Sequence, residues 1–168
     1  ATGELCFGGV NGFNLFHPDE IIKNNKPPSV VMRDFHLFNK PVKIGVKNSP
    51  LTKHIGNTKS IILDHRQSVF SFEFAALNYT SPEKNQYAYM MEHYDDDWNM
   101  VGTRRFASYT NLPPGQYTFK VKASNNDNVW NDDGVSIDLK ILPKPWLTWW
   151  AYSIYTILVL ILFYLLRA

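Results

Sequence analysis

Cysteine is almost absent from this 168-residue chain: Cys6 stands alone, so no internal disulfide can form and the fold must rest on its core. A lone thiol fits a bacterial envelope protein or a cytosolic one better than a small secreted disulfide scaffold. An excess of one charge is also lacking. Of the 17 Lys and Arg, Arg167 stands apart near the C-terminus, and the other 16 are dispersed among 15 Asp and Glu. That balance offers no phosphate-tracking surface, so no contact with nucleic acid is expected from this segment. Ligand and catalytic spacings are missing too. The histidines fall at 17, 36, 54, 65 and 93, with no His-x-x-x-His pair. Asp95 to Asp97 with Asn99 begin like a calcium loop, but Met100 occupies the glycine position and no glutamate closes the loop. There is no Gly-x-Ser-x-Gly elbow, no phosphate-cradling glycine loop, and no acid in an apolar setting suited to glycoside hydrolysis. No catalytic, cofactor-binding or metal-binding residue is therefore assigned, and the segment is not expected to be an enzyme.

Long apolar runs are absent until the end, where Trp146 to Leu166 form 21 residues without a charge. At about 1.5 Å rise per residue, such a run crosses a hydrocarbon core of roughly 30 Å. Residues 146–168 are thus expected to form one transmembrane helix, with Trp146, Trp149 and Trp150 at the membrane interface. A buried core helix usually keeps a polar face, and a signal peptide belongs at the other end of a chain. The remainder is long enough for one sizeable domain. Aromatics make up 15% of the chain, and 10 prolines and 9 glycines punctuate it, which points to mainly β structure. The opening Ala1-Thr-Gly and the stop directly after the span suggest an excerpt from a longer protein.

Two short apolar runs, Glu4 to Gly9 and Gly12 to Phe16, read as a hairpin whose glycines supply positive φ angles. Two strands alone are marginal, so they are expected to complete a larger sheet. A polar connector from His17 to Pro28 follows, and Pro27-Pro28 mark a boundary. From Ser29 to Pro145 the hydrophobic period is two. Phe70, Phe72 and Phe74 alternate with polar or small residues, as do Tyr87, Tyr89 and Met91. So do Tyr117, Phe119, Val121 and Ala123, then Ile137, Leu139 and Ile141. With weaker strands near 30–38 and 61–63, six or seven strands predict an antiparallel sandwich of the immunoglobulin or fibronectin type III kind. Asn111-Leu-Pro-Pro-Gly115 precedes Tyr117, which is placed to bond back to that corner.

The order Tyr87-Ala-Tyr89, Asp95-Asp-Asp-Trp98, Tyr109-Thr-Asn-Leu-Pro-Pro-Gly-Gln-Tyr-Thr-Phe-Lys-Val-Lys-Ala123 and Asn125-Asn-Asp-Asn-Val-Trp130 resembles the three-Y (Y_Y_Y) domain of bacterial two-component regulators. The resemblance covers about residues 60 to 150. It marks Tyr87, Tyr89, Trp98, Tyr109, Leu112, Gly115, Tyr117 and Trp130 as structural motif residues. Asn128 stands where glycine is common, and asparagine tolerates the left-handed turn. Trp98 and Trp130 are expected to seal the ends of the sandwich, with sugar stacking as the alternative. Residues 1–28 resemble the closing strands of an upstream β-propeller plus a linker, 29–145 the three-Y sandwich, and 146–168 the span.

This order is similar to hybrid two-component sensors of gut Bacteroidetes. It implies a membrane-proximal periplasmic relay in the inner membrane, with residues 1–145 periplasmic and the C-terminus cytoplasmic. It further implies a glycan ligand on the missing propeller, a homodimer formed through the ectodomain, and a histidine kinase beyond the span. From the residues themselves, Pro143 to Pro145 leave a stiff junction between last strand and helix. The rival expectation is a membrane-anchored adhesive, structural or carbohydrate-binding module.

Overall fold

The computed structural model describes residues 3–20 and 23–167. Ala1, Thr2 and Ala168, and Ile21 and Ile22 within the polar connector, lie outside the described residues. The first element pair is the expected hairpin, β1 (Leu5–Gly9) and β2 (Gly12–Phe16), in antiparallel register. Of the glycines around its turn, Gly12 alone has a positive φ, 137°. Phe7 and Phe16 stack across the pair, while Leu5, Phe7, Phe13 and Leu15 stand exposed.

The rest of the β structure is a sandwich of two sheets. One holds β4 (Lys40–Pro41), β3 (Ser29–Leu37), β6 (Val69–Leu77) and β9 (Phe106–Thr110), in that order. The other runs β5 (Ser60–Leu63), β11 (Trp130–Ile141), β10 (Gly115–Ser124), β7 (Gln86–Glu92) and β8 (Asn99–Gly102). Every pairing is antiparallel except β5 with β11, a parallel edge pair. The period-two runs point inward as their spacing predicts: Phe70, Phe72 and Phe74 face Tyr87, Tyr89, Met91, Phe119 and Val121 across the core. Phe72 and Phe119 stack at 4.2 Å between ring centroids and join the two layers.

Among the described residues nine strands form the sandwich, where six or seven are expected. The three unforeseen ones are short, and each hides its pattern. β4 is two residues long and contains Pro41, and β8 is an exposed edge. β9 inverts the usual signal, because Phe106 points outward, half exposed, while the small Ala107 points into the core.

The C-terminal helix, α1, spans Trp149–Arg167 and so starts three residues later than the apolar run. Pro145–Leu147 form a 3-10 turn instead, and Thr148 then takes an extended conformation before the helix begins. α1 is the one described helix of membrane-span length. Its apolar side chains stand exposed almost throughout, and Ala151 is its one buried residue.

Candidate functional site

The residues marked by sequence gather into a tyrosine framework at the centre of the sandwich and a junction at one end. Each of four buried tyrosines puts its ring in the core and ties its hydroxyl to a different element. Tyr87 accepts from the backbone N–H of Ala76 on β6 at 3.1 Å. Tyr89 accepts from Arg104 Nη2, in the β8–β9 connection, at 3.2 Å. Tyr109 donates to Asp95 Oδ2 at 2.7 Å, and the same oxygen accepts from Met91 N–H at 2.8 Å. Tyr117 donates to the carbonyl of Pro113 at 2.9 Å, which is the corner bond its position predicts. Burial raises the pKa of Tyr109, and the hydrogen bond to Asp95 and that carboxylate's charge raise it further, far above its ordinary value. Burial does the same, more weakly, for Tyr117. Leu112 is buried beneath this corner. A Cβ at Gly115 would meet the Tyr117 ring at 3.4 Å, so the missing side chain leaves room for the ring to fold back.

The junction to the helix packs beside this corner. Leu142 extends the parallel pairing by donating to the Leu63 carbonyl at 2.9 Å. A shallow cleft there is lined by Asp64, His65, Leu112, Pro113, Leu142 and Lys144, among others. Trp146 leans over it, edge-on to His65 at 5.5 Å, with the Lys144 ammonium 5.9 Å from its ring. Trp146 is therefore part of the junction, outside the helix, while Trp149 and Trp150 stand exposed in its first turn.

At the opposite end, asparagines bind the incoming connector. Asn125 is fully buried, and its amide donates to the carbonyls of Asn24, at 2.5 Å, and Lys26, at 3.0 Å. Its side-chain oxygen accepts from the N–H groups of Asp127 and Val129. Asn131 donates to the Pro28 carbonyl at 2.8 Å, and Asn24 N–H donates to Asp127. Asn78 and Asn85 bond to each other and extend the network to the β6–β7 connection. Asn128 takes the left-handed conformation, φ 62°, expected of the residue in glycine's place. The Asn-rich turn is legible through the resemblance, yet its partners in the connector carry no signal, since they lie about a hundred residues upstream.

Trp98 and Trp130 do not seal the ends of the sandwich. Both are half-buried beside Lys122, on the outer face of the five-stranded sheet, and its ammonium lies 4.6 Å from one ring and 5.7 Å from the other. Asp132 holds that ammonium at 2.9 Å. The physical reason is parity: Val121 and Ala123 point inward, so Lys122 and its neighbours must point outward.

Comparison with known proteins agrees with this arrangement. Residues 78–142 match the Y_Y_Y domain family. The chain is 40% identical over 151 residues to "Histidine kinase P4" of Formosa agariphila, an alignment covering 90% of this chain and 11% of that protein. Two solved structures from B. thetaiotaomicron, described as extracellular domains of hybrid two component systems, are similar as well. BT3049 matches with a TM-score of 0.64 and 27% identity, over 83% of this chain and 19% of that one. BT4673 matches with a TM-score of 0.62 and 27% identity, over 86% and 19%. This chain thus spans about a tenth of the curated relative and about a fifth of the solved ones. It carries a Y_Y_Y domain in a β-sandwich and is related to the extracellular domains of Bacteroides hybrid two-component systems and to a histidine kinase.

Proposed function

We propose that this chain is the membrane-proximal relay of a hybrid sensor histidine kinase, carrying a signal from an upstream ligand-binding region to a cytoplasmic kinase. The observation that carries the reading is the placement of input and output. The connector is bound by Asn125, in the β10–β11 connection, and by Asn131, at the start of β11, and the helix junction leaves from the end of that strand. At about 3.3 Å per residue this one strand reaches roughly 35–40 Å between the two. In this reading residues 1–145 are periplasmic and α1 crosses the inner membrane. Two ectodomains pair, a glycan binds to the missing propeller, and the packing of the pair is the two-state element that both ends bias. The exposed apolar surface of α1 supports a lipid surround.

Sugar stacking by Trp98 and Trp130 has less support, because the Lys122 ammonium already lies against a face of each ring. The test is an insertion of four Gly/Ser residues between Pro143 and Trp146 in the full-length protein. Ligand-dependent reporter expression should be lost while membrane level stays unchanged, because a flexible coil relaxes strain that the Pro143-Lys-Pro145 segment transmits. Unchanged induction would make the junction a simple tether and favour the anchored adhesive module.

A further inference from the structure

The outer face of the four-stranded sheet brings together three side chains that chain order keeps apart. Asp34 and His36 lie two residues apart on β3 and therefore share a face. Glu73 is the register partner of Asp34 on β6. The residues between them, Phe35 and Phe72, are fully buried, which fixes the outward direction of the other three. One donor atom from each of Asp34, His36 and Glu73 lies within 4.8 Å of the others, and no second trio of this kind occurs among the described residues. His36 Nε2 is 3.7 Å from Asp34 Oδ2. Two ligands on one tetrahedral zinc ion, bound at about 2.0–2.2 Å, sit about 3.4 Å apart. That gap is closed by a small side-chain adjustment. Asp34 is also oriented in advance: its Oδ1 accepts from the Phe35 N–H at 2.8 Å, leaving Oδ2 to the imidazole.

We propose that Asp34, His36 and Glu73 form a site for a divalent first-row cation, zinc(II) foremost, with solvent completing the coordination. One imidazole with two carboxylates suits such an ion. Calcium asks instead for six to eight oxygens, and copper(I) for sulfur. All three side chains are half-buried, so the ligands are held by the sheet yet open to loading from solvent. Arg33 competes for the site, since its guanidinium lies 3.3 Å from the Glu73 carboxylate. Metal entry replaces that partly exposed ion pair, a contact of small worth in water. The ion would tie β3 to β6 where the register slips between Met32 and Asp34, stiffening the strand that receives the connector. The spacing of the histidines concealed this site because two ligands share one strand and the third comes from another.

The test is calorimetric titration of the metal-stripped 168-residue chain, in detergent, with zinc chloride. One saturable equivalent is expected, with a thermal unfolding midpoint that rises on loading. His36→Ala and Glu73→Gln should each weaken binding tenfold or more, and Arg33→Gln should tighten it by freeing Glu73. His54→Ala removes a histidine that caps the Ile55–Asn57 turn and should leave the zinc affinity and stoichiometry unchanged. Thermal unfolding without zinc checks that each variant folds; if His36→Ala does not, His36→Gln and the near-isosteric Asp34→Asn replace it. The absence of saturable binding at roughly millimolar zinc overturns the proposal. So does a site that survives both the His36 and the Glu73 substitutions, or one that Arg33→Gln leaves unaltered.

Discussion

At the scale of single residues, the tyrosines differ in how readily sequence discloses them. Tyr117 was legible because its partner, the Pro113 carbonyl, lies four residues away in a turn of recognisable chemistry. The Tyr109–Asp95 bond was not, since it joins β9 to the turn after β7 in the other sheet. Tyr117→Phe should cost about 1 kcal/mol and Tyr117→Ala about 3–5 kcal/mol in chemical denaturation. Tyr109→Phe should cost about 1.5–3 kcal/mol at neutral pH, because its bond is to a carboxylate. Its pH dependence is a sharper check. A phenol whose folded pKa is raised stabilises fully below its ordinary value of 10.0, and loses that contribution as pH rises beyond it, because the unfolded chain gives up its proton first. Urea midpoints of the native protein should therefore fall steeply above pH 10, and Tyr109→Phe should flatten that fall. Asp133-Gly134 has the form of a turn dipeptide, but Gly134 lies within the continuous strand β11, so that signal misplaces it. Its φ is 53°, and an added Cβ would sit 2.3 Å from the Val121 carbonyl oxygen, where the β10–β11 register slips. Gly134→Ala should destabilise by about 1–3 kcal/mol or more, read from the same denaturation curves. A neutral effect there would mean the strand can shift its register freely.

Among the elements, long strands with aromatic alternation were readable, and short or inverted ones were not. β6, β7, β10 and the second half of β11 put an apolar residue at every second position, so period alone defined them, whereas Trp130 to Gly134 carry no such alternation. β9 turns its small residue inward, and hydrophobic content therefore misreports its faces. The start of α1 was shifted for another reason. Composition carries no break at Trp146, whereas Pro145 opens a 3-10 turn and Thr148 resets the backbone before the helix. Residues 23–28 of the connector carry no helix or strand and are held chiefly through Asn125. Asn125→Ala leaves two carbonyls and two N–H groups without their buried partner, a loss of roughly 2–3 kcal/mol after water recovers part of it. Proteolysis should then cut between residues 23 and 28 faster in the variant than in the parent. Equal cutting rates would show that the asparagine does not hold the connector.

On the scale of the whole molecule, the expected topology is checked with protease added to intact spheroplasts, which should remove residues 1–145 and spare α1. Full protection would overturn the proposed orientation and the sensor reading with it. The placement of the ends was only half legible: the proline junction is local, but the asparagine network that holds the other end is assembled from three separate loops. One consequence concerns mechanics. β3 starts beside the connector and β11 finishes at the junction to α1, so tension applied between connector and α1 would pull these two strands along their own axes, in opposite directions. Each is then loaded in shear against its neighbours, β6 and the short β4 for one, and β10 and β5 for the other. In shear the ladder bonds share the load and fail together, where peeling from an end would open them one at a time. The parallel strand β5 matters here, because it puts a second ladder on the side of β11 that would otherwise be a free edge. A domain strung this way should yield little under tension, which is the mechanical property that the proposed relay requires.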